Sequence, residues 1–102
     1  MPPCNVMFDV TFLPNPARLS GKRLDAALDD EMLTFIQSHA EAHDLVSRIA
    51  DLAQVYVNAG LETRIGLGCN SGRHRSRGVA IMLATELKKR QLDAEVRHRE
   101  DL

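Results

Sequence analysis

Val6 to Phe12 is apolar and β-prone but alternates poorly, which predicts a buried first strand with Asp9 embedded in it. Leu13-Pro14-Asn15-Pro16 ends that strand, because two prolines remove donors and hold the chain extended. Residues 17–29 contain Ser20-Gly21-Lys22 and have no clear period, so they read as a flexible surface excursion. Met32, Phe35 and Ile36 have helical spacing and place a short helix at 30–37. Ser38 and Glu41 then make a Ser-x-x-Glu capping box at the start of another helix. Leu45, Ile49, Leu52, Ala53 and Tyr56 line one face of that helix, and Gly60 is suited to stop it. An apolar strand follows at 62–68. A helix at 73–90 buries Val79, Met82, Leu83 and Leu87, and Ala94 to His98 is a last short strand.

Strand, two helices, strand, helix, strand is an α/β order. It predicts a single domain over residues 1–102, with a small, mainly parallel sheet of about three strands flanked by helices. Ligands of such sheets bind beyond the carboxyl ends of the strands. Those ends carry Asn15, the loop at Cys69, and His98-Arg99, so three polar segments are expected to meet in one crevice.

Composition narrows the class without naming an activity. With 102 residues, 44% hydrophobic and 26% charged, the chain is an ordinary globular domain. A formal net charge of -1 excludes an overall basic nucleic-acid binder. The cations nevertheless gather late, at Arg73, Arg75 and Arg77, then Lys88, Lys89 and Arg90, then Arg97 and Arg99, while acids dominate Asp25 to Asp51. One anion-seeking face follows from that asymmetry. One tyrosine, three phenylalanines and no tryptophan leave little for base stacking, so RNA contact would be led by backbone or shape. Cys4 and Cys69 form no disulfide framework or metal pattern, the N-terminus lacks signal-peptide character, and no apolar run is long enough to span a bilayer. The expectation is a cytoplasmic protein without a cofactor, metal or membrane contact.

The chemistry concentrates in Cys69-Asn70-Ser71-Gly72-Arg73-His74-Arg75-Ser76, between a strand and a helix. Small residues there allow close backbone approach and several N–H groups to face one point. Cations at a helix N-terminus oppose the macrodipole, at roughly 0.3–1 kcal/mol each when exposed. Their presence makes sense if an anion sits among them. The reading places a phosphate over the N–H groups of residues 70–73, with His74 and Arg75 donating charge-assisted hydrogen bonds. The same stretch matches the Cys-x5-Arg loop of cysteine-dependent phosphatases, with Cys69 as nucleophile and Arg75 as clamp. Gly68 stands where those enzymes carry a histidine, and no general-acid loop is visible, so a structural or ligand-contacting cysteine is preferred. Asp9, an acid in an apolar strand, calls for a cationic partner such as Arg75, His98 or Arg99. His39 and His43 have i, i+4 spacing but no third ligand nearby, and read as solvent-facing. Lys88-Lys89-Arg90 suits a helix C-terminus, where cations are favourable.

Three blocks taken together, Phe8 to Pro16, Gly68 to Ser76 and Val96 to Arg99, resemble the C-terminal domain of the RapZ/YvcJ family, whose pattern is close to FDVRFLPNP, GCTGGKHRS and VRHRD. The resemblance covers nearly the whole chain. Full-length members resemble adapters with an N-terminal P-loop domain. No Gly-x-x-x-x-Gly-Lys-[Ser/Thr] occurs in this sequence, so a free-standing second domain is expected. The resemblance implies a regulatory domain that binds glucosamine-6-phosphate or its N-acetyl form, coupled to a small RNA. By the same resemblance Asn70, Ser71, Gly72, His74 and Arg75 match the sugar-phosphate loop, with Arg73, Ser76, Asn15, His98 and Arg99 beside it and Asp9 and Arg97 in support. Thr11 replaces the family's arginine, Ala17 its histidine, Asn70-Ser71 its Thr-Gly and Arg73 its lysine. The phosphate end is thus retained and the sugar end altered. The expected partners are a phosphorylated small molecule, RNA, and a protein partner or second copy.

Overall fold

The computed structural model describes residues 4–13, 28–68 and 74–98, with His98 described by its main chain alone. Along these residues the elements run β1 (Val6–Asp9), α1 (Asp30–Gln37), α2 (Ala40–Asn58), β2 (Thr63–Gly68), α3 (Arg75–Lys89) and β3 (Ala94–His98). The sheet has the order β1-β2-β3 and both pairings are parallel. The register runs from Val6 opposite Ile65 to Asp9 opposite Gly68, and from Thr63 opposite Ala94 to Leu67 opposite His98. The α/β architecture with a small parallel sheet is therefore as the sequence implies.

Right-handed crossovers that step the same way twice deliver all the helices to one face of the sheet. The core follows that geometry. Ile65 and Leu67 of β2 pack with Ile49, Ala50 and Ala53 of α2 and with Val79, Leu83 and Leu87 of α3. Arg64 and Gly66 point to the other face. A Cβ on Gly66 would meet the Cys4 Sγ at 3.0 Å and the Met7 Cγ at 3.1 Å, so glycine lets the N-terminal segment lie close. Gly78 does the same between helices, since a Cβ there would stand 2.5 Å from the Ile36 Cδ1.

Three local expectations are corrected. β1 stops at Asp9, and its residues alternate between half-buried and exposed, with Met7 60% exposed. It is an edge strand covered on one face, which is why it is not buried throughout. The Ser38–Glu41 capping box does not form. Ser38 instead closes α1, its hydroxyl donating to the Phe35 carbonyl at 2.6 Å, and α2 begins from His39 without a side-chain cap. The start signal that does operate is Asp29, whose Oδ1 accepts from the Met32 N–H at 2.8 Å. Finally, the deepest stripe of α2 is Ala42, Val46, Ile49, Ala50 and Ala53, with Leu45, Leu52 and Tyr56 half-buried beside it. Alanines let α2 approach its neighbours closely, so the small residues lie deepest. Of the excursion expected at 17–29, only Leu28 and Asp29 lie within the described residues. No helix among the described residues is long and apolar enough to cross a membrane.

Both long helices end in the same hydrogen-bond pattern. After α2, the Gly60 N–H donates to the Val57 carbonyl and the Leu61 N–H to the Tyr56 carbonyl, with Gly60 at φ 79. After α3, Gln91 donates to Lys88 and Leu92 to Leu87, with Gln91 at φ 59. These are Schellman stops, which require a left-handed residue. Glycine takes that conformation freely and glutamine does not. Gln91→Gly is expected to stabilise the fold by about 0.5–1 kcal/mol. Chemical denaturation beside Gln91→Ala checks this, and equal midpoints for the two variants would refute the assignment.

Candidate functional site

The parallel register brings the three strands to an end at one edge of the sheet. Asp9 stands beside Gly68, and the main chain of His98 beside Leu67. The edge is extended past β1 by a bond from the Val10 N–H to the Gly68 carbonyl at 2.8 Å. A tight turn follows, closed by the Leu13 N–H on the Val10 carbonyl at 3.2 Å, with Val10 fully buried beneath it.

Asp9 supports that turn. Its Oδ1 accepts from the Thr11 N–H at 2.8 Å, an Asx arrangement that any short acid at a turn start favours. Asp9 is exposed, so the sequence expectation of an embedded acid with a direct cationic partner is corrected. The strand's alternation turns its side chain away from the helices, and Thr11 satisfies it. Hydrogen bonds from the Thr11 side chain and main chain hold the Asp9 carboxyl below its ordinary value. Desolvation partly opposes them, and the charge of Arg75 acts in the same lowering direction.

Across from this turn α3 begins. His74 is its N-cap residue, and its carbonyl accepts the first helical bond from Gly78 at 2.8 Å. His74 and Ser76 are fully buried and Arg75 is 8% exposed. The Arg75 Nη1 donates to the Thr11 carbonyl at 2.6 Å and to the Leu13 carbonyl at 3.1 Å. One side chain therefore fastens the start of α3 to the turn after β1. Its Nε is buried and has no hydrogen-bond partner among the described residues. Carbonyl oxygens satisfy donors but carry no counter-charge, so the positive charge is only partly compensated.

Of the residues singled out from sequence, the structure brings together Asp9, His74, Arg75 and Ser76 at this edge, with the main chain of His98 and the strand residue Arg97 alongside. Arg97 donates from Nε to Glu95 at 2.8 Å. Asn15, Cys69, Asn70, Ser71, Gly72, Arg73 and Arg99 lie outside the described residues. The sequence reading missed the carbonyls of Thr11 and Leu13 as partners of Arg75. Every residue has a carbonyl, so no side-chain pattern could have pointed to them.

The other candidates have local duties. The His39 Nδ1 is 2.9 Å from the Phe35 carbonyl and the His43 Nε2 2.6 Å from the Gln37 carbonyl, so both histidines serve the carboxyl end of α1. Arg90 bonds Glu86 at 2.8 Å and Asp51 at 2.7 Å, which ties α3 to α2. Among the described residues no cluster of histidine, cysteine and carboxylate is suited to a metal.

Comparison with known proteins adds the family. The sequence profile of the RapZ C-terminal domain matches residues 1–101. A nucleotide-binding protein of Acetivibrio thermocellus is 30% identical over 95% of this chain and 35% of its own length. A nucleotide-binding protein of Alcanivorax borkumensis is 32% identical over 94% of the chain and 36% of its own length. The RNase adapter protein RapZ of Yersinia enterocolitica is 32% identical over 91% of the chain and 35% of its own length. The chain thus spans about a third of the length of these relatives.

Two consequences of the geometry are open to measurement. Arg75→Met keeps the apolar stem and removes the two carbonyl bonds. It is expected to cost about 2–3 kcal/mol in urea denaturation, whereas a loss under about 0.5 kcal/mol would mean the clamp is idle. Asp9 has a lowered folded-state value, so the stability it contributes is present above the ordinary carboxylate range and disappears as pH falls through its folded value. Asp9→Asn is therefore expected to melt below wild type at neutral pH and to converge with it in acid. A melting difference that does not change with pH would contradict this.

Proposed function

The chain belongs to the RapZ C-terminal domain family, and we propose that it is a non-enzymatic regulatory domain that binds a phosphorylated small molecule at the carboxyl edge of its sheet. The observation that carries this reading is Arg75, a buried cation at the start of a helix with two neutral carbonyls as its partners. A helix N-terminus disfavours a cation, and burial penalises it further. An anion at the 69–76 loop would relieve both costs and accept hydrogen bonds from the main chain there. In this reading Asn70, Ser71, Gly72 and Arg73 surround the phosphate, His74, Arg75 and Ser76 hold the helix end, and Asn15, His98 and Arg99 face the rest of the ligand. Asp9 and Arg97 support them. The ligand class is an amino-sugar phosphate or a nucleotide-like ester, and the name of the nucleotide-binding relatives accords with the second. Thr11 and Ala17, which differ from the family pattern, would bear on the non-phosphate part of the ligand.

Cys69 lies outside the described residues, and Asp9, the acid at this edge among them, has its carboxyl lowered by hydrogen bonds from Thr11, which does not suit a general acid. A coupled RNA contact is a second reading, favoured by the exposed Lys88 and Lys89 at the end of α3 and by the RNase adapter among the relatives. Both readings suit a cytoplasmic protein.

Calorimetric titration with glucosamine-6-phosphate, its N-acetyl form, other hexose phosphates and nucleotides tests the first reading. One class is expected to bind, with affinity about 10–100-fold weaker in Arg73→Gln and Arg75→Lys, each of which removes charge-assisted bonds or their geometry. No heat from any compound, or equal affinity in both variants, would retire it. For RNA, a mobility shift that weakens steeply with salt is expected, and no shift at low salt rules it out.

A further inference from the structure

The turn after β1 treats its side chains unequally. Val10 and Leu13 are buried and Thr11 is half-buried, whereas Phe12 is 57% exposed. The other aromatic residues of the chain, Phe8, Phe35 and Tyr56, are half-buried. A lone apolar side chain on a surface is ordinary, but Phe12 stands on a backbone pinned from several directions. The Leu13 N–H closes the turn on the Val10 carbonyl, and the Asp9 carboxylate accepts from the Thr11 N–H. Arg75 holds the carbonyls of the residues on either side of Phe12, that of Thr11 at 2.6 Å and that of Leu13 at 3.1 Å. Neither the turn nor the core calls for an aromatic residue there. Among the described non-glycine residues positive φ occurs at Gln91, so Phe12 lies in the ordinary half of backbone space, where turns accept most residues. Phe12 is also outside the apolar cluster of the core. What the position offers is a flat apolar surface at the carboxyl edge of the sheet, next to the carbonyls that hold a buried cation.

Resting on the phosphate reading of that edge, we propose that Phe12 is its specificity-determining residue: the ring of a phosphate ester stacks on Phe12 while the phosphate lies towards Arg75 and the start of α3. The ligand class is thereby narrowed to esters that carry a ring with a flat face, a nucleotide base or the carbon face of a hexosamine. Every base has a π-face and stacks on an aromatic side chain whatever its sequence identity. A sugar ring presents C–H groups, whose positive edge suits the negative face of the phenyl ring. An acyclic ester has neither surface and gains nothing from Phe12. The phenyl ring carries no polar atom, so it selects by shape and not by particular hydroxyls or amines. Charge at the start of α3 would attract any phosphate, and Phe12 would separate cyclic esters from chain-like ones. The pinned turn matters here, because a ring already held in place loses little freedom when a ligand covers it.

Calorimetric titration of wild type, Phe12→Ala, Phe12→Leu and Phe12→Tyr with glycerol phosphate, glucosamine-6-phosphate and adenosine or uridine monophosphate tests the stack. Glycerol phosphate is expected to bind every form alike. One cyclic class is expected to bind wild type and Phe12→Tyr more tightly than glycerol phosphate does. Its affinity is expected to fall about tenfold or more in Phe12→Ala and Phe12→Leu. In proton NMR of the ligand, its ring signals are expected to move upfield with wild type and to stay in place with Phe12→Leu. That ring-current shift is a signature that a merely structural role does not produce, and the class that shows it identifies the ring. An equal loss of glycerol phosphate binding in Phe12→Ala would mean that the residue braces the turn, which overturns the proposal and leaves the phosphate reading standing. Cyclic esters that bind all variants alike, or a weakening without the ring-current shift, overturn it in the same way. If no phosphate compound binds wild type, both readings fall together.

Discussion

Arg75 joins two parts of the chain that are more than sixty residues apart, through bonds to the carbonyls of Thr11 and Leu13. Those carbonyls belong to the turn that ends β1, and Arg75 itself opens α3. The carboxyl edge depends on this clasp, because it sets where the helix begins relative to where the first strand stops. Both bonds leave from one guanidinium nitrogen, Nη1, so a single donor group spans the turn. The clasp is made with neutral oxygens, which leaves a buried positive charge facing the start of a helix. The Asp9 carboxylate, on the same turn, feels that charge and is lowered by it in part, so the turn supplies both neutral acceptors and an anion to the start of α3.

Winding in a single direction explains much of the remainder. With all helices on one face, the sheet has a covered side and an open side, and each edge strand is half exposed. Asp9, Met7, Arg64, Glu95 and Arg97 fall on the open side by alternation alone, without any local preference for water. Asp9 therefore needs no buried partner and serves a turn. The same alternation separates the charged row of β3 from its apolar row, so that one short strand offers both to a neighbour.

The fold was largely legible in the sequence, since its apolar periods are long and its stops are clear. Met32 and Ile36, the run Val79 to Leu87, and Gly60 each did what their spacing implied. The errors arose where a polar side chain had two partners within reach. Ser38 could cap the helix after it or close the one before, and the nearer Phe35 carbonyl won. The stop after α3 carried no glycine to mark it: Gln91 takes the left-handed position, and the Leu92 N–H closes the turn on the Leu87 carbonyl. At the site, the sequence located the cations and the strand ends. It could not show that Arg75 reaches main-chain oxygens, since those acceptors leave no mark on residue identity.

The edge of β3 and the carboxyl end of the sheet meet at Arg97. This arginine bonds Glu95 two residues away on the same face. Glu95 in turn lies 3.4 Å from the Arg64 Nε of β2, so the charges on the open face tie the last strand to its neighbour. The covered face does the corresponding work through Arg75, which sets the start of α3 against the end of β1. The carboxyl edge is thus fixed from both faces of the sheet.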